Sequence, residues 1–320
     1  MKHFLLALLV SQLAAPFATA ADSMRAFVVS DGGASVQSVP KPEPQVGQVR
    51  IKVRAASVNP VDWKLAAHVA PGSQLIPGKD VAGVIDATGP AAGAWKVGQQ
   101  VIALVTNGAY AEYVVAPVSA VAPKPARLSF EEAAGIPVVG ETAWRSMVTV
   151  ADVHAGQRVL IHGGAGGVGS SAVQIAKARG AYVIATASPR HADLLRSLGA
   201  DEVLDYNSVR FEDKVKDLDI VLNTVDADTG ARSVGVLKPG GMLVSVVGQP
   251  PAGPCEAAKI RCAIPGPVSG AMLGHLSELA NSGKFRSVID QRLPLAAASK
   301  AWELSRAGHT GGKIILEVSR

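Results

Sequence analysis

A glycine-rich segment, His162–Gly169, is the part of the sequence that points most clearly to a chemistry. Its Gly164, Gly166 and Gly169 fit the pattern G-x-G-x-x-G, and the segment follows a strand-like apolar stretch and opens a helical pattern. Such glycines allow a tight turn, let the backbone approach a pyrophosphate and let helix and strand pack closely. The helix N-terminus then offers free N–H groups to phosphate oxygens. The segment predicts a dinucleotide site; the alternative is a plain glycine-rich turn.

The end of the next strand-like stretch bears on which dinucleotide would bind. An NAD site usually has an acidic residue about 20 residues after the loop, where it binds the ribose 2′-hydroxyl. Here the sequence has Ser188 and Arg190, and the first acidic residue is Asp193, inside the next helical pattern. A hydroxyl and a guanidinium suit a 2′-phosphate, which a carboxylate would repel. The sequence therefore predicts NADP(H) rather than NAD(H); in the alternative interpretation, Arg190 is a solvated residue at a helix start.

Cysteine and histidine are too few and too scattered to indicate a metal centre. The two cysteines are Cys255 and Cys262, and none precedes them. His68, His154 and His162 are isolated, so each is interpreted as a hydrogen-bonded structural residue, and no metal is predicted. In an oxidising compartment the two cysteines could form a disulfide bond if their segment is not one continuous helix. The alternative is two unrelated thiols.

Two regions with different patterns must position these residues. Residues 25–115 read as short β-rich segments separated by Gly and Pro turns, which is typical of a sheet or barrel. From residue 158 onward, strands and amphipathic helices alternate, which predicts an α/β fold with a doubly wound parallel sheet. The predicted strands are 25–29, 49–53, 81–87, 100–104, 109–115, 158–162, 182–187, 203–204, 219–223, 242–247 and 313–318. The predicted helices are 131–150, 169–179, 192–198, 270–282 and 296–307.

Composition excludes several classes of protein. The chain has 320 residues, of which 48% are hydrophobic and 18% charged, so it can bury a large core and is not mainly disordered. The net charge of +5 comes without a run of Lys and Arg, so no nucleic-acid partner is expected. No segment is long and apolar enough to predict a membrane-spanning helix.

Residues 1–20 have the three parts of a secretory signal peptide. A short positive start leads into the apolar run Phe4–Val10, and the segment ends in Ala18-Thr19-Ala20, a small-x-small cleavage pattern. This predicts a periplasmic or secreted protein. The alternative is a misplaced start codon, with translation from Met24 and a cytoplasmic protein.

Eight motifs occur in order along residues 24–320. They are Ser57–Lys64, Pro77–Val84, Gly108–Val114, Ala133–Pro137, Thr142–Trp144, Gly163–Gly169, Leu198–Asp201 and Gly311–Ile314. In combination they resemble the medium-chain dehydrogenase/reductase superfamily, and within it the zinc-free quinone oxidoreductase and zeta-crystallin branch. The resemblance implies a GroES-like substrate domain (21–146 and 284–320) with a Rossmann NADP-binding domain (147–283) inserted between its two parts.

The resemblance also implies roles for single residues. Asn59 and Thr142 are the candidate catalytic residues, because without zinc a developing oxyanion must be stabilised by hydrogen-bond donors. The proton donor stays open among Tyr110, Lys64 and water. The implied cofactor contacts are Asn59, Thr142, Gly164, Gly166, Gly167, Val168, Gly169, Ser188, Arg190, Tyr206, Asn223, Val225 and Val247.

The activity implied by these features is NADPH-dependent, zinc-independent hydride transfer to a quinone or an α,β-unsaturated carbonyl compound. One alternative is a zinc-free reductase of ketones or enoyl thioesters, with the same hydride chemistry and a different pocket. Another is a non-catalytic NADPH-binding protein. The expected partner is a small-molecule substrate, and a homodimer is an open alternative to a monomer.

Overall fold

The computed structural model describes residues 23–308 and 310–319; the signal-peptide prediction lies outside these residues. The strands are β1 (Ser23–Ser30), β2 (Gly33–Pro40), β3 (Gln48–Ser57), β4 (Asp80–Thr88), β5 (Gln100–Leu104), β6 (Tyr113–Pro117), β7 (Val121–Pro123), β8 (Arg158–Ile161), β9 (Tyr182–Ala187), β10 (Glu202–Asp205), β11 (Leu218–Asn223), β12 (Leu237–Ser245), β13 (Arg261–Ala263), β14 (Ile289–Pro294) and β15 (Lys313–Glu317). The α-helices are α1 (Pro60–Ala66), α2 (Phe130–Ala134), α3 (Pro137–Trp144), α4 (Gly167–Ala178), α5 (Ala192–Ser197), α6 (Ala227–Ser233), α7 (Ala252–Ala257), α8 (Leu273–Asn281) and α9 (Ala298–Ala307).

A six-stranded parallel sheet occupies the second half of the chain, as the alternation of strands and helices predicts. Its strand order is β10-β9-β8-β11-β12-β13, and all its pairs are parallel. The central strand β8 is fully buried at Val159, Leu160 and Ile161, because helices cover both faces of such a sheet. The chain order reverses between β8 and β11, and ligands bind at this switch point in open α/β sheets.

A seven-stranded sheet joins the two ends of the chain. The order β14-β15-β3-β4-β5-β7 is extended by β6, which pairs with β3, while β1 and β2 form a separate hairpin. The antiparallel pairing of β15 with β3 aligns Ile315 with Ser57. The α/β class, with a GroES-like unit beside a Rossmann-like sheet, is confirmed, and the exact domain boundaries stay predictions.

The predicted helix over residues 131–150 is wrong as a single element. The structure divides it into α2, α3 and a π-helical turn at Arg145–Val150. Pro137 has no backbone N–H and cannot continue α2, but it suits the first position of a new helix. Gly135, between the two helices, packs so closely on Ser287 that a Cβ would lie 2.0 Å from the serine Oγ.

Other differences from the sequence-based elements are smaller. The strands at 100–104 and 182–187 have the predicted bounds, whereas the one predicted at 109–115 begins only at Tyr113. The structure adds the strands β2, β7, β13 and β14 and the helices α1, α6 and α7, which the sequence did not predict. The added strands β2, β7, β13 and β14 pair with β1, β5, β12 and β15, respectively.

The two cysteines are joined by a disulfide bond. Cys255 lies in α7 and Cys262 in β13, with a turn between them, so the segment is not one continuous helix and the bridged alternative is the one present. Among the described residues no helix has the length and apolar character needed to cross a bilayer.

Candidate functional site

A cleft of about 790 Å³ lies at the switch point of the parallel sheet. One wall comes from the segment entering α1, from the C-terminal part of α9 and from β15. The other comes from the glycine-rich loop and the segments after β11 and β12, and α3 contributes Val139 and Thr142. The cleft therefore brings residues near both ends of the chain against the Rossmann-like sheet.

The glycine-rich loop has the geometry of a phosphate cradle. A Cβ at Gly169 would lie 2.2 Å from the carbonyl oxygen of Gly163, so the helix could not sit so close to the loop with any other residue there. Gly166 is the N-cap of α4 and offers no side-chain cap, which leaves the N–H groups of the first turn free for a ligand. These features fit a dinucleotide pyrophosphate better than a plain turn.

Seven of the predicted cofactor contacts line this cleft. They are Asn59, Thr142, Gly166, Gly167, Val168, Val225 and Val247. Asn223 instead lies beneath the turn after β11, where its Nδ2 donates to Asp226 O at 2.7 Å. Thr224, which sequence reasoning missed, lines the cleft in its place. Gly164 is a packing residue, because a Cβ there would lie 2.9 Å from that of Ala185.

A smaller pocket of about 380 Å³ continues from the cleft beside the end of β9. Ser188, Arg190 and Tyr206 line it together with His191, and it shares Gly166, Thr224, Val225 and Thr310 with the main cleft. No carboxylate is among its described lining residues. Asp193, the acidic residue nearest in sequence, has a fully exposed side chain paired with Arg196.

His191 adds a neutral donor–acceptor to this pocket. Arg190 Nε donates to His191 Nε2 at 3.0 Å, so that ring nitrogen carries no proton. Burial and the nearby positive charge of Arg190 lower the pKa of His191. The pocket therefore has a guanidinium, hydroxyls and an imidazole, a set that suits a phosphate monoester.

Asn59 is held in a buried polar network below the cleft. Its Nδ2 donates to Asp80 Oδ2 at 2.9 Å, and its Oδ1 accepts from Lys313 Nζ at 2.6 Å. Asp80 also accepts from Ser57 Oγ at 2.5 Å and from the Val138 N–H at 2.8 Å. Asp80 thus ties the Asn59 amide to the first turn of α3, the helix that carries Thr142.

Asp62 and Tyr110 form a second buried pair beside this network. Asp62 Oδ2 accepts from the Asn59 N–H at 2.8 Å and from the Tyr110 hydroxyl at 2.9 Å. Burial, assisted by the negative charge of Asp80, raises the pKa of Asp62 to about 7. Tyr110 is fully buried, and its pKa is raised by burial and by Asp62. Tyr110 does not line the cleft, so its hydroxyl supports Asp62.

The hydroxyl of Thr142 is also engaged. Its Oγ1 donates to Val138 O at 2.7 Å, which uses the only hydroxyl proton. In this arrangement Thr142 can accept a hydrogen bond from a ligand but has no proton to donate. Lys64, by contrast, is exposed and lines the cleft, with its Nζ 5.5 Å from the centre of the Trp63 ring.

Comparisons with known proteins agree with this geometry. A family model for the alcohol dehydrogenase GroES-like domain matches residues 45–126, and one for zinc-binding dehydrogenases matches residues 198–316. The chain is 35% identical over 317 residues to the NADPH-dependent alkenal/one oxidoreductase, chloroplastic, of Arabidopsis thaliana, covering 92% of this chain and 79% of that protein. It is 36% identical over 245 residues to the quinone oxidoreductase of Homo sapiens, covering 72% and 74% of the two chains. The solved quinone oxidoreductase from Coxiella burnetii superposes with a TM-score of 0.83 at 31% identity, covering 93% of this chain and 100% of that one.

The chain belongs to the medium-chain dehydrogenase/reductase superfamily. Its relatives include proteins named NADPH-dependent and NAD(P)H oxidoreductases, and it is an oxidoreductase of this superfamily. The family resemblance inferred from the eight motifs is confirmed.

One of the two matching family models is named for zinc-binding dehydrogenases. The metal-binding side chains present in this protein, however, do not fit a catalytic zinc site. Both cysteines are in the disulfide bond, and within residues 23–308 and 310–319 no three His, Cys, Asp or Glu side chains are grouped to hold a metal. His162 is structural, as predicted: its ring contacts Thr186 Oγ1 at 3.2 Å and Ser233 Oγ at 3.1 Å. Burial and the positive charge of Arg232 lower its pKa to about 4.

Sequence reasoning missed the residues that support the site from below. Asp80 and Lys313 both lie in motifs quoted for the resemblance, yet neither was selected. A signal was present, because each is a charged residue at the start of a strand whose next residues are apolar. A charged residue in such a position is buried only when it is paired.

Proposed function

We propose that this oxidoreductase transfers a hydride from NADPH to a quinone or to the activated double bond of an α,β-unsaturated carbonyl compound. The observation that carries the proposal is the continuous groove from the Ser188–Arg190 pocket, past the N-terminus of α4, to Asn59 and Thr142. The relatives named as alkenal/one and quinone oxidoreductases support this choice of acceptor.

The chain's own residues would hold the two ends of the nucleotide. The N–H groups at the start of α4 bind the pyrophosphate, and Ser188 and Arg190 bind the 2′-phosphate. Thr142 Oγ1 accepts an N–H of the nicotinamide carboxamide while it donates to Val138 O. When bound, the reduced nicotinamide supplies the hydride, and the protein supplies position and electrostatics.

Lys64, one of the candidates left open for the proton donor, is proposed to supply the proton and also to stabilise the oxyanion, a role that the sequence predicted for Asn59 and Thr142. A hydride that adds to the β-carbon moves an electron pair to the carbonyl oxygen, and a proton must then reach the α-carbon. The only hydroxyl proton of Thr142 is donated to Val138 O, and one of the two Asn59 N–H groups is donated to Asp80, so we propose a further donor. The Lys64 ammonium can stabilise the developing oxyanion and supply the proton, directly or through water.

An acceptor panel tests the proposal. NADPH oxidation by the purified protein is followed with quinones, enals and enones on one side, and saturated ketones and enoyl thioesters on the other. Faster turnover of the first group supports the proposal. Preference for the second group favours the alternative reductases, and tight NADPH binding without turnover favours a non-catalytic protein.

We also propose that the protein acts in the periplasm or outside the cell. The disulfide bond between Cys255 and Cys262 supports this, because such bonds persist mainly in oxidising compartments. The signal-like residues 1–20 support it independently.

A further inference from the structure

Lys313 is the most deeply buried cation at the cleft. Its side chain is 5% exposed, and burial lowers its pKa while Asp80 and Asp62 oppose the change. Its Nζ donates to Asn59 Oδ1 at 2.6 Å and to Val58 O at 2.8 Å, and lies 3.7 Å from Asp80 Oδ2. The ammonium therefore contacts the segment that enters α1 at two points and lies beside Asp80 at the start of β4.

Stability alone does not account for this lysine. Burying an ion pair often adds no net stability, because desolvation cancels the attraction, and apolar residues of similar volume do as well. Asp80 already receives N–H or O–H donors from Ser57, Asn59 and Val138. A role connected with the adjacent cleft accounts better for the charge.

Lys313 and Asp80 together fix the polarity of the Asn59 amide. The amide oxygen faces the ammonium and the amide nitrogen faces the carboxylate. A half-turn of the amide would put N–H groups against the ammonium and the oxygen against the carboxylate, so both contacts would become repulsive. An amide has two N–H groups and two lone pairs, so one N–H and one lone pair of Asn59 stay available for a ligand in a fixed order.

The stem of Lys313 also contacts the phosphate cradle. A Cβ at Gly167 would lie 3.0 Å from Lys313 Cδ, so the methylene chain packs directly on the first residue of α4. One side chain thus contacts both the pyrophosphate loop and the amide at the nicotinamide end of the cleft.

We infer that Lys313 is a positioning residue that locks the Asn59 side-chain amide in the orientation that recognises the nicotinamide carboxamide. A carboxamide has the same donor and acceptor pair, so only an amide of fixed polarity selects one of its two orientations. The inference rests on the proposed function and adds to it how the reactive ring is held.

The test compares two ligands that differ at the nicotinamide end. Calorimetry measures the Kd of NADPH and of 2′-phospho-ADP-ribose for the wild type and for Lys313→Met, which keeps the stem packed on Gly167. The wild type should bind NADPH more tightly than 2′-phospho-ADP-ribose. In Lys313→Met, NADPH affinity should fall about tenfold, the size expected when a hydrogen bond is lost, while 2′-phospho-ADP-ribose affinity is unchanged.

Two further variants separate positioning from folding. Lys300→Met, on the exposed Lys300–Glu303 ion pair of α9, should leave both affinities unchanged. Lys313→Ala should regain NADPH affinity when ethylammonium, which can donate N–H groups, is added. Tetramethylammonium, with the same charge and no N–H, should not restore it.

The outcomes distinguish a failure of the proposed function from a failure of the role inferred for Lys313. A wild type that binds neither ligand overturns the proposed function, and the role of Lys313 with it. A wild type that prefers NADPH, with the same preference in Lys313→Met, overturns only the role of Lys313. An equal loss of affinity for both ligands also overturns it, because that result indicates a purely structural lysine.

Discussion

Arg190 is the residue that tests the proposed preference for NADPH over NADH. Arg190→Ala should weaken NADPH binding about 10- to 100-fold, the range for a lost hydrogen bond to a charged group, and leave NADH binding unchanged. Fluorescence titration of both nucleotides gives the ratio of their Kd values. An unchanged ratio would contradict the assignment of the 2′-phosphate pocket.

Lys64 is the residue that tests the proposed proton transfer. Lys64→Met should lower kcat for an enone about 100-fold, the lower end for a lost general acid, without changing the Kd of NADPH. Lys96→Met, at an exposed position, serves as the control. A kcat within a few fold of the wild type would assign the proton to water alone.

Asp62 makes stability depend on pH in an unusual direction. Its pKa is about 7 in the folded chain against an ordinary 3.8, so the folded state binds the proton more tightly. The contribution of protonated Asp62 to the stability of the fold is complete below about pH 4 and is lost as the pH rises through 7. Asp62→Asn keeps a carbonyl oxygen for the Asn59 N–H and the Tyr110 hydroxyl but does not titrate.

Chemical unfolding at several pH values measures this contribution. The free energy of unfolding of the wild type, relative to that of Asp62→Asn, should fall between pH 4 and 7. A difference that does not vary with pH would mean that Asp62 titrates normally.

At the scale of elements, the contact between α4 and the glycine-rich loop controls the shape of the cradle. Gly169→Ala should destabilise the protein by about 1–3 kcal/mol, as overpacking does, because its Cβ would meet the Gly163 carbonyl. It should also weaken binding of both nucleotides. Gly274→Ala in α8, where a Cβ meets nothing within 4 Å, should be neutral or slightly stabilising. Thermal unfolding and nucleotide titration of both variants check this, and equal behaviour would contradict it.

The break between α2 and α3 shows where element prediction fails. The stretch from 131 to 150 has a mostly helical pattern, and the boundary is marked by Gly135, which caps α2, and by Pro137, which begins α3. The start of α3 is fixed from outside, by the hydrogen bond from the Val138 N–H to Asp80. Because Thr142 lies in the same helix, this long-range hydrogen bond also fixes the position of Thr142 along the cleft.

At the scale of the whole molecule, the cellular location of the protein and the oxidation state of its two cysteines are linked. Exported protein should begin after residue 20 and contain no free thiol until it is reduced. Intact mass with and without alkylation, before and after reduction, measures both properties. A chain that begins at Met24 with two free thiols would contradict the proposed export.

Features encoded within short spans of the chain can be predicted from the residues alone. The alternation of strands and helices predicts the parallel sheet. Glycine spacing predicts the proposed phosphate cradle, and the lack of an acidic residue between Gly169 and Asp193 predicts the proposed 2′-phosphate pocket. These features depend on backbone sterics, on the spacing of apolar residues and on local charge, and all three can be seen in residues that are close together in the sequence.

The support of the site depends instead on contacts between residues that are far apart in the chain. Asn59 and Lys313 are 254 positions apart, and they meet because β15 pairs with β3 in one particular register. A shift of one residue would turn Lys313 to the other face of the sheet. No local sequence pattern specifies that register. The contact between Lys313 and the Asn59 amide can therefore be identified only from the folded structure, in which β15 and β3 lie side by side.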